Sequence, residues 1–220
     1  SWNPYHVQQI ALFADGSYKI TPELRLAAGL RWYKYASRQD EISWGYDGPY
    51  PDKTTAYANA TTTRAGDRGY NPRVNLSYEP NRNLNLYATA ARGFRPGGAN
   101  QILPPPNMPP YCALPGPLQF GPDSAWNYEV GEKARVADGR VTINGDVYYI
   151  KWKDIQQVVS LTCGYPYNTN AGNARAYGPE VEFSALLTKG LTLNISGAYT
   201  NAKINDPSAT AIGSGFYPGI

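Results

Sequence analysis

The sequence predicts an all-β protein whose antiparallel strands cross a membrane as part of a barrel. Three observations lead to this prediction. Apolar and polar residues alternate with a period of two over long stretches. Short and long connections between these stretches alternate along the chain, as they do in outer-membrane barrels. Full charges fall within the strands on the polar face, where a water-filled lumen tolerates them.

The composition fits this fold class. Charged residues make up 17% of the 220 residues, below the roughly 25% of soluble domains. The chain has 19 Tyr and 5 Trp against 5 Phe, and such amphipathic rings are favoured where one end is apolar and the other wet. No stretch approaches ~18 consecutive apolar residues, so no transmembrane helix is predicted.

Eight strands follow from the alternation. We place them at residues 7–19, 24–37, 70–79, 84–94, 125–137, 140–160, 174–187 and 190–203. Most of them reach the ~9–11 residues that a tilted strand needs to cross a bilayer.

The first four strands form two hairpins. The turn sequence "TPE" joins the first two, and the second strand sets Leu26 and Leu30 against Arg31 on the other face. The turn "PNRN" joins the third and fourth, and the third strand places Val74 and Leu76 on one face. Pro, Asn and Gly chemistry of this kind is typical of tight turns.

The last four strands form two further hairpins. The turn "ADG" joins the fifth and sixth, and in the sixth Val147 and Tyr149 alternate with Asp146. The turn "TKG" joins the seventh and eighth, and in the eighth Leu193 and Ile195 share a face. The other connections are long and include residues 38–69, 95–124, 161–173 and 204 onward. We therefore expect short periplasmic turns on one rim and long extracellular loops on the other.

Charges and aromatic residues favour a membrane barrel over a soluble sheet. The charges expected on the polar face are Asp15, Arg31, Arg73, Glu129, Lys133, Asp146 and Glu182. Aromatic residues near strand ends, where interfacial girdles belong, are Tyr18, Trp32, Tyr33, Tyr35, Tyr78, Trp126, Tyr128, Trp152 and Tyr199. Glu132 falls on the apolar face, which indicates either a strand end near the interface or an error in the predicted register.

Other function classes find little support. Net charge is +3 with both signs dispersed, which argues against a nucleic-acid partner. The single histidine, His6, and the scattered carboxylates provide no nucleophile–base pair, so we expect no enzyme activity. We also expect no cofactor and no metal site. A soluble carbohydrate-binding β-protein remains an alternative, because an antiparallel sheet with one apolar face can also cover a soluble core.

Four stretches carry a family resemblance. They are "ALFADGSYKITPELRLAAGLRW", "NPRVNLSYEPNRNLNLYATAARGFRPGG", "WNYEVGEKARVADGRVTINGDVYYIKWKDIQ" and "NAGNARAYGPEVEFSALLTKGLTLNISGAYTNAKI". In this order and with this hairpin spacing they resemble the C-terminal barrel half of TonB-dependent outer-membrane receptors. The long loops do not take part in the resemblance.

The resemblance implies a fold, a location and a function. It implies a 22-stranded barrel in the outer membrane of a Gram-negative bacterium, closed by an N-terminal plug. It implies active uptake of a scarce ligand, commonly a ferric siderophore, energised through the TonB system. The implied partners are outer-membrane lipid, the protein's own plug and remaining strands, the TonB complex and a siderophore-like small molecule. A glycan or cobalamin as cargo, and a passive porin or structural barrel, remain alternatives.

The extent of the chain predicts a partial barrel. We expect residues 1–220 to lack the plug domain, the TonB box and the remaining barrel strands, because the sequence shows none of them. The last predicted strand is followed by another loop, as if a further strand came next.

The long loops and upper lumen hold the candidate ligand contacts. Arg and Tyr suit the anionic or aromatic groups of siderophores, although loop aromatics often pack against one another instead. The candidates are Trp44, Tyr46, Tyr50, Arg92, Arg95, Tyr111, Tyr165 and Tyr167.

Two cysteines lie in neighbouring long loops on the same rim. Cys112 precedes and Cys163 follows the hairpin of the fifth and sixth strands. Because the compartment outside the inner membrane is oxidising, we expect a Cys112–Cys163 disulfide; two separate thiols are the alternative.

Overall fold

The computed structural model describes residues 4–42, 52–58, 60–100, 117–160 and 166–207. Within these ranges the chain is almost entirely β-structure. The elements are β1 (Tyr5–Lys19), β2 (Leu24–Glu41), α1 (Lys53–Ala58), β3 (Thr61–Asn81), β4 (Leu84–Arg95), β5 (Gly98–Ala99), β6 (Gln119–Phe120), β7 (Asp123–Val136), β8 (Val141–Lys153), β9 (Gln156–Ser160), β10 (Pro166–Asn170), β11 (Gly172–Thr188), β12 (Leu191–Ala198) and β13 (Asn201–Pro207).

Nine strands form one antiparallel meander. The order is β1–β2–β3–β4–β7–β8–β11–β12, and β13 also pairs with β11. Each of the eight predicted strands contributes to this sheet, which confirms the predicted fold class of an antiparallel barrel segment. Two small antiparallel pairs, β5 with β6 and β9 with β10, stand apart from it. No helix among the described residues is long and apolar enough to cross a membrane.

The register separates an apolar face from a polar one. Leu76, Ala88, Val130 and Val147 oppose one another in turn across four neighbouring strands. Val130 and Val147 are 59% and 57% exposed, respectively. Such a row of uncovered aliphatic side chains is what a lipid-facing surface requires. The alternate residues, which include all seven charges predicted for the polar face, point to the lumen.

Aromatic residues border the apolar face at two levels. Trp32 opposes Tyr70, and Tyr128, Tyr149 and Tyr177 oppose one another across β7, β8 and β11. We call these five residues the upper girdle. Tyr78 lies eight residues beyond Tyr70 on β3, which is ~26 Å along the strand at ~3.3 Å per residue. With a tilt of about 40° this gives ~20 Å of depth, close to the apolar band of ~25 Å in such barrels.

Three aromatic residues predicted for the girdles lie elsewhere. Tyr33, Tyr35 and Trp152 are on the polar face, because each is one residue out of step with the outward residues of its strand. A shift of one position moves a side chain to the opposite face of a strand. Tyr33 and Tyr35 are buried at 3% exposure each, so they belong to the packed interior of the upper rim.

Glu132 lies on the apolar face, between Leu86 and Gly145. It precedes the end of β7, at Val136, by four residues. The pairing therefore favours a position near the interface over an error in the predicted register.

The β2–β3 hairpin is longer than predicted. Its ladder runs from Leu24–Tyr78 to Glu41–Thr61 without interruption, so residues 61–69 are strand and not loop. This stretch has glycines and polar residues but no apolar alternation, because it rises above the bilayer. Cross-strand hydrogen bonds alone hold it extended, and they leave no signal in a hydropathy pattern.

The predicted strand 140–160 breaks in two. Asp154 has φ of 55°, a left-handed conformation that ends β8. The next residue, Ile155, is buried and exchanges backbone hydrogen bonds of 2.8 Å with Ala171 and Gly172. β9 then pairs with β10 as a separate hairpin over the rim.

The predicted strand 190–203 also divides, at Tyr199. β12 pairs with the lower half of β11 and β13 with its upper half. Pro179 lies between the two paired regions on β11 and has no N–H to donate. The Tyr199 N–H still donates to the Pro179 carbonyl at 3.0 Å, so β12 and β13 continue along the same edge.

Tight turns close the opposite rim. The turn after β7 places Ala137, Asp138 and Gly139 at φ of 52°, 54° and 81°, respectively. Gly190, after β11, has φ of 93°, a conformation that favours glycine. The short turns thus share one rim, and most of the buried residues in the described part of the chain gather at the other.

Candidate functional site

The upper end of β4 folds inward over the lumen. Pairing with β3 stops at Arg73–Ala91, while pairing with β7 continues to Arg95–Asp123. Past the end of its pairing with β3, the Phe94 ring stacks on the Tyr33 ring, with ring centroids 3.5 Å apart. The strand therefore exits onto the two buried tyrosines of β2 and does not continue upward beside β3.

The segment after β4 is held by close backbone contacts. The Gly97 N–H donates to the Tyr35 hydroxyl at 2.8 Å. A Cβ on Gly97 would overlap the Phe120 carbonyl oxygen and the Gly121 backbone. Glycine is therefore required for this close approach of two chain segments.

An ion pair with a buried carboxylate joins this segment to β7. Asp123 is 2% exposed and accepts hydrogen bonds from Nε and a terminal nitrogen of Arg95. It also accepts from the Gln156 backbone N–H at 3.1 Å. Hydrogen bonding to this carboxylate raises the pKa of Arg95 above its ordinary value, so the guanidinium remains charged. The Arg95 guanidinium also lies 4.9 Å from the ring centroid of Trp152.

Amide side chains connect the loops around this ion pair. Gln156 Nε2 donates to the carbonyls of Pro96 and Gly121, at 3.0 Å each. Asn170 Nδ2 donates to the Asp154 carbonyl at 2.7 Å and its Oδ1 accepts from the Gly121 N–H at 2.7 Å.

Asn100 links the second and third long loops. It is 4% exposed, and its Nδ2 donates to the Asn168 carbonyl at 2.6 Å while its Oδ1 accepts from the Asn168 N–H at 2.7 Å. We call Arg95, Asp123, Gln156, Asn170 and Asn100 the rim clasp.

The lumen below the rim clasp is lined by polar side chains. The Tyr87 hydroxyl donates to Glu129 at 2.7 Å, and Asn75 Nδ2 donates to the Thr89 hydroxyl at 2.8 Å. Lys133 lies over the Tyr87 ring, 5.6 Å from its centroid. This wall can hydrogen-bond with water or with polar protein surface.

Three of the eight candidate ligand contacts are described, and each is engaged in packing. Arg95 is bonded within the rim clasp, although its side chain is 49% exposed. Tyr167 is 5% exposed, in the β9–β10 hairpin. Arg92 is partly buried, and one terminal nitrogen donates to the Tyr70 carbonyl at 3.4 Å. The structure brings Arg92 and Arg95 to the same rim.

The remaining candidates lie outside the described residues. These are Trp44, Tyr46, Tyr50, Tyr111 and Tyr165, together with the expected disulfide partners Cys112 and Cys163. Their roles stay predictions. Among the described residues no group of three or more His, Cys, Asp or Glu side chains is arranged to hold a metal ion.

The residues that sequence reasoning missed are the members of the rim clasp other than Arg95. Asp123, Asn170 and Asn100 lie in the predicted loops and Gln156 near the end of a predicted strand, and their partners are 16 to 68 residues away in sequence. The run of Gly and Pro after Arg95 signalled a turn, but nothing in the sequence indicated its partner. The inward orientation of Tyr33 and Tyr35 on β2 could have been predicted by extending the strict alternation from Leu30.

Comparison with known proteins gives one consistent result. Residues 1–220 match the family described as TonB dependent receptor-like, beta-barrel. The chain is 27% identical over 213 residues to the metal-pseudopaline receptor CntO of Pseudomonas aeruginosa, covering 96% of this chain and 27% of that protein. It is 26% identical over 210 residues to the ferric-pyoverdine receptor PbuA of a Pseudomonas species, covering 94% and 23% respectively.

A solved structure shows the same fold. The ferric yersiniabactin uptake receptor FyuA from Yersinia pestis superposes with a TM-score of 0.72 at 20% identity, covering 93% of this chain and 28% of that one. The chain thus spans about a quarter of the length of the proteins it resembles.

Proposed function

Because this chain belongs to the β-barrel family of TonB-dependent receptors, we propose that it is the part of an outer-membrane receptor that encloses the path of a metal-chelating, siderophore-like ligand. The barrels of this family lie in the outer membrane of Gram-negative bacteria, and they are receptors and transporters, not enzymes. The match over residues 1–220 is the observation that carries the proposal. The relatives named for metal–pseudopaline, ferric pyoverdine and ferric yersiniabactin support this class of cargo.

The rim clasp has a role in this function. It holds the second and third long loops together over the lumen through hydrogen bonds that span up to 68 residues of sequence. Loops held in this way offer a ligand a preformed surface and lower the entropy lost on binding. We assign ligand contacts to the second and third long loops, which the rim clasp supports and which hold the candidates Tyr111 and Tyr165, and to the first long loop, which holds Trp44, Tyr46 and Tyr50. We also propose that a Cys112–Cys163 disulfide adds a covalent link between the second and third loops.

The polar lumen wall suits a plug domain. Glu129, Lys133 and Asp146 face the lumen at mid-strand, where an enclosed protein surface with opposite charges would pair with them. We propose that the receptor's own plug occupies this space and that TonB energises transport through it.

Uptake by the complete receptor tests the proposal. The receptor that contains this chain would be expressed in a Gram-negative strain without other siderophore receptors. Uptake of radiolabelled ferric pyoverdine, ferric yersiniabactin and a metal–pseudopaline complex would then be measured. We expect uptake of at least one chelate, and its loss in an otherwise identical strain without TonB. Uptake that persists without TonB would refute the energised mechanism.

Ion conductance distinguishes the proposed receptor from a passive porin. A passive porin would take up none of the three chelates above background and would show a steady ion conductance in a planar bilayer. That pair of results would overturn the proposed function.

The disulfide has its own test. Peptide mapping of the non-reduced receptor by mass spectrometry should identify a cross-linked peptide that contains both cysteines. Recovery of both thiols free would contradict the pairing.

A further inference from the structure

One edge of β3 lacks a neighbouring strand above the membrane. β3 pairs with β2 up to Thr61, but on its other side it pairs with β4 only as far as Arg73–Ala91. Pro72 follows at this boundary and has no N–H to donate to a strand on that side. In the described part of the chain, residues 61–71 therefore have a strand on one side only. We call the other side of this stretch the free edge.

Hydrogen bonds show which backbone groups reach the free edge. The Ala65 carbonyl accepts from a side-chain hydroxyl of β2 at 3.2 Å, so odd-numbered residues bond towards β2. The Tyr70 carbonyl instead accepts from Arg92 at 3.4 Å, and the Arg68 N–H donates to the Asp67 carboxylate at 2.7 Å. Because the bonding direction alternates along an antiparallel strand, the N–H and C=O groups of the even-numbered residues lie on the free edge.

The free edge stands above the bilayer and is accessible. Tyr70 belongs to the upper girdle, and Thr62 lies eight residues higher on β3, which is ~26 Å along the strand at ~3.3 Å per residue. Between them, Arg64, Gly66 and Arg68 are exposed. The upper end of β4 would be the next strand, but it folds inward onto β2. As far as the described residues define it, the space beside the free edge is open.

The free edge lacks the structural features that protect many exposed strands. Residues 61–71 contain no proline, and their ladder with β2 has no bulge. Proline, bulges and covering elements are common means by which native proteins prevent an edge from pairing with another chain. A long, regular edge without them is suited to accept an added strand.

The outward side chains along the free edge carry positive charge. Arg64 and Arg68 lie on either side of Gly66 on the outward face. Among the described residues neither guanidinium forms an ion pair, since Asp40 on the same face is bonded to Arg38. Opposite charges placed across from one another stabilise a sheet, so acidic residues four positions apart on an added strand would pair with the two arginines. A large side chain between these acidic residues would cover the glycine.

We propose that the free edge binds an extended segment of a partner polypeptide outside the cell as an added antiparallel strand. The backbone of this segment bonds to the even-numbered residues of the free edge, and one of its carbonyls replaces Asp67 at the Arg68 N–H. Its outward side chains place acidic residues opposite Arg64 and Arg68 and a large residue opposite Gly66. The backbone bonds supply affinity and the two arginines supply selectivity.

Peptide binding to the complete receptor in lipid nanodiscs tests the proposal. The probe is the fluorescein-labelled peptide TTETYTETT, which reads the same in both directions and presents Glu, Tyr and Glu to the free edge. Fluorescence anisotropy should show saturable binding. N-methylation of the two glutamates and the tyrosine removes three N–H groups that face β3, and it should weaken binding about a hundredfold, from about fivefold per lost hydrogen bond.

Matched controls separate backbone pairing and charge from nonspecific effects. N-methylation of three threonines, whose N–H groups face away from β3, should leave the affinity within about threefold. The variant Arg64→Glu/Arg68→Glu should bind TTETYTETT on the order of tenfold more weakly and should bind TTKTYTKTT instead. Lys19→Glu/Arg25→Glu makes the same charge change in an opposed pair at the tight-turn rim and should bind TTETYTETT as the wild type does.

Hydrogen exchange with residue resolution identifies what occupies the free edge. Without peptide, the N–H groups of Arg64 and Gly66 should exchange quickly and those of Thr63 and Ala65 slowly, and the peptide should slow the first two. Slow exchange of Arg64 and Gly66 without peptide would show that the receptor covers this edge itself and would overturn the proposal. Absence of peptide binding, equal binding of the two N-methylated peptides, or unchanged binding by Arg64→Glu/Arg68→Glu would overturn it as well.

Discussion

At the scale of single residues, the upper rim depends on glycines and one buried carboxylate. Gly97 allows the segment after β4 to touch the backbone at Phe120 and Gly121. Asp123 gathers donors from Arg95 and from the start of β9. Gly97 and Asp123 each join two loops, so a substitution at either residue affects both of the loops that it joins.

Replacement of Gly97 should loosen the rim. Gly97→Ala places a methyl group against the Phe120 carbonyl, and overpacking of this kind costs ~1–3 kcal/mol. Hydrogen exchange of residues 94–100 and 117–122 in the complete receptor should become faster. The matched control is Gly93→Ala, where an added Cβ meets no atom within 4 Å. If both variants exchange alike, the close contact at Gly97 does not hold the segment.

Removal of the Asp123 charge should open the rim clasp. Asp123→Asn leaves the Arg95 guanidinium without its carboxylate, and an unsatisfied group of this kind costs ~1–3 kcal/mol; the exposure of Arg95 favours the lower end. Limited proteolysis should cut the loops around residues 95–123 and 154–173 more readily.

The control for this change is Asp40→Asn. Asp40 pairs with Arg38, which is 51% exposed, and exposed pairs contribute little. Its proteolysis pattern should remain that of the wild type. An equal effect in the two variants would show that burial of the Asp123 carboxylate gives the Arg95–Asp123 pair no special role.

At the scale of elements, proline and glycine in β11 decide how the last strand pairs. Pro179 interrupts the ladder that β11 forms with β12 and β13. Gly178 lets the Tyr199 carbonyl approach the β11 backbone closely. β13 can then continue along β11 up to Pro207. A hydrogen bond of 2.6 Å between the hydroxyls of Tyr148 and Thr200 links β8 to the junction between β12 and β13.

A side chain at position 178 should detach β13. In Gly178→Ala the new Cβ overlaps the Tyr199 carbonyl oxygen, so the backbone around Tyr199 must move away from β11. Hydrogen exchange should show loss of protection over residues 201–207 with little change in β12. Gly197→Ala provides the control, because its Cβ would be an ordinary 3.9 Å from Val181. Retained protection of β13 in Gly178→Ala would contradict this account.

At the scale of the whole molecule, the sheet has lipid on its outward face and water or protein on its inward face. Its outward face exposes Val130, Val147 and Ile195 at 57–59%, and its inward face carries the charges. A single layer with these two faces is stable only when lipid covers the first and water or protein the second.

The cost of an added charge should distinguish the lipid-facing side of the sheet from the lumen-facing side. Val147→Arg puts a cation on the lipid side, which costs ~2–4 kcal/mol near the bilayer midplane. Asn144→Arg puts the same residue on the lumen side of the same strand, next to Glu182, where it should cost little. Urea unfolding of the complete receptor in lipid vesicles measures the difference. Equal destabilisation by both variants would contradict the assignment of faces.

Sequence alone was sufficient for the features that repeat along the chain. Period-two alternation placed Leu76, Val130 and Val147 on one face, because the pleat of a strand has the same period. Turn residues such as Asp138 and Gly139 located the short rim, because their left-handed conformations are a local property. The family resemblance, carried by these same strands and turns, was confirmed over residues 1–220.

Tertiary structure alone decided what depends on distant partners. The extension of β3 to Thr61 rests on hydrogen bonds to β2, and the rim clasp rests on Asp123, Gln156 and Asn100, whose contacts have no periodic signal. The face of Tyr33 follows from register, which one residue reverses. Strand β4 shows both sides. Its alternation predicted a membrane strand, but only the fold revealed that Phe94 and Gly97, at and after its end, turn inward onto the tyrosines of β2, because that contact is made between segments that the sequence keeps far apart.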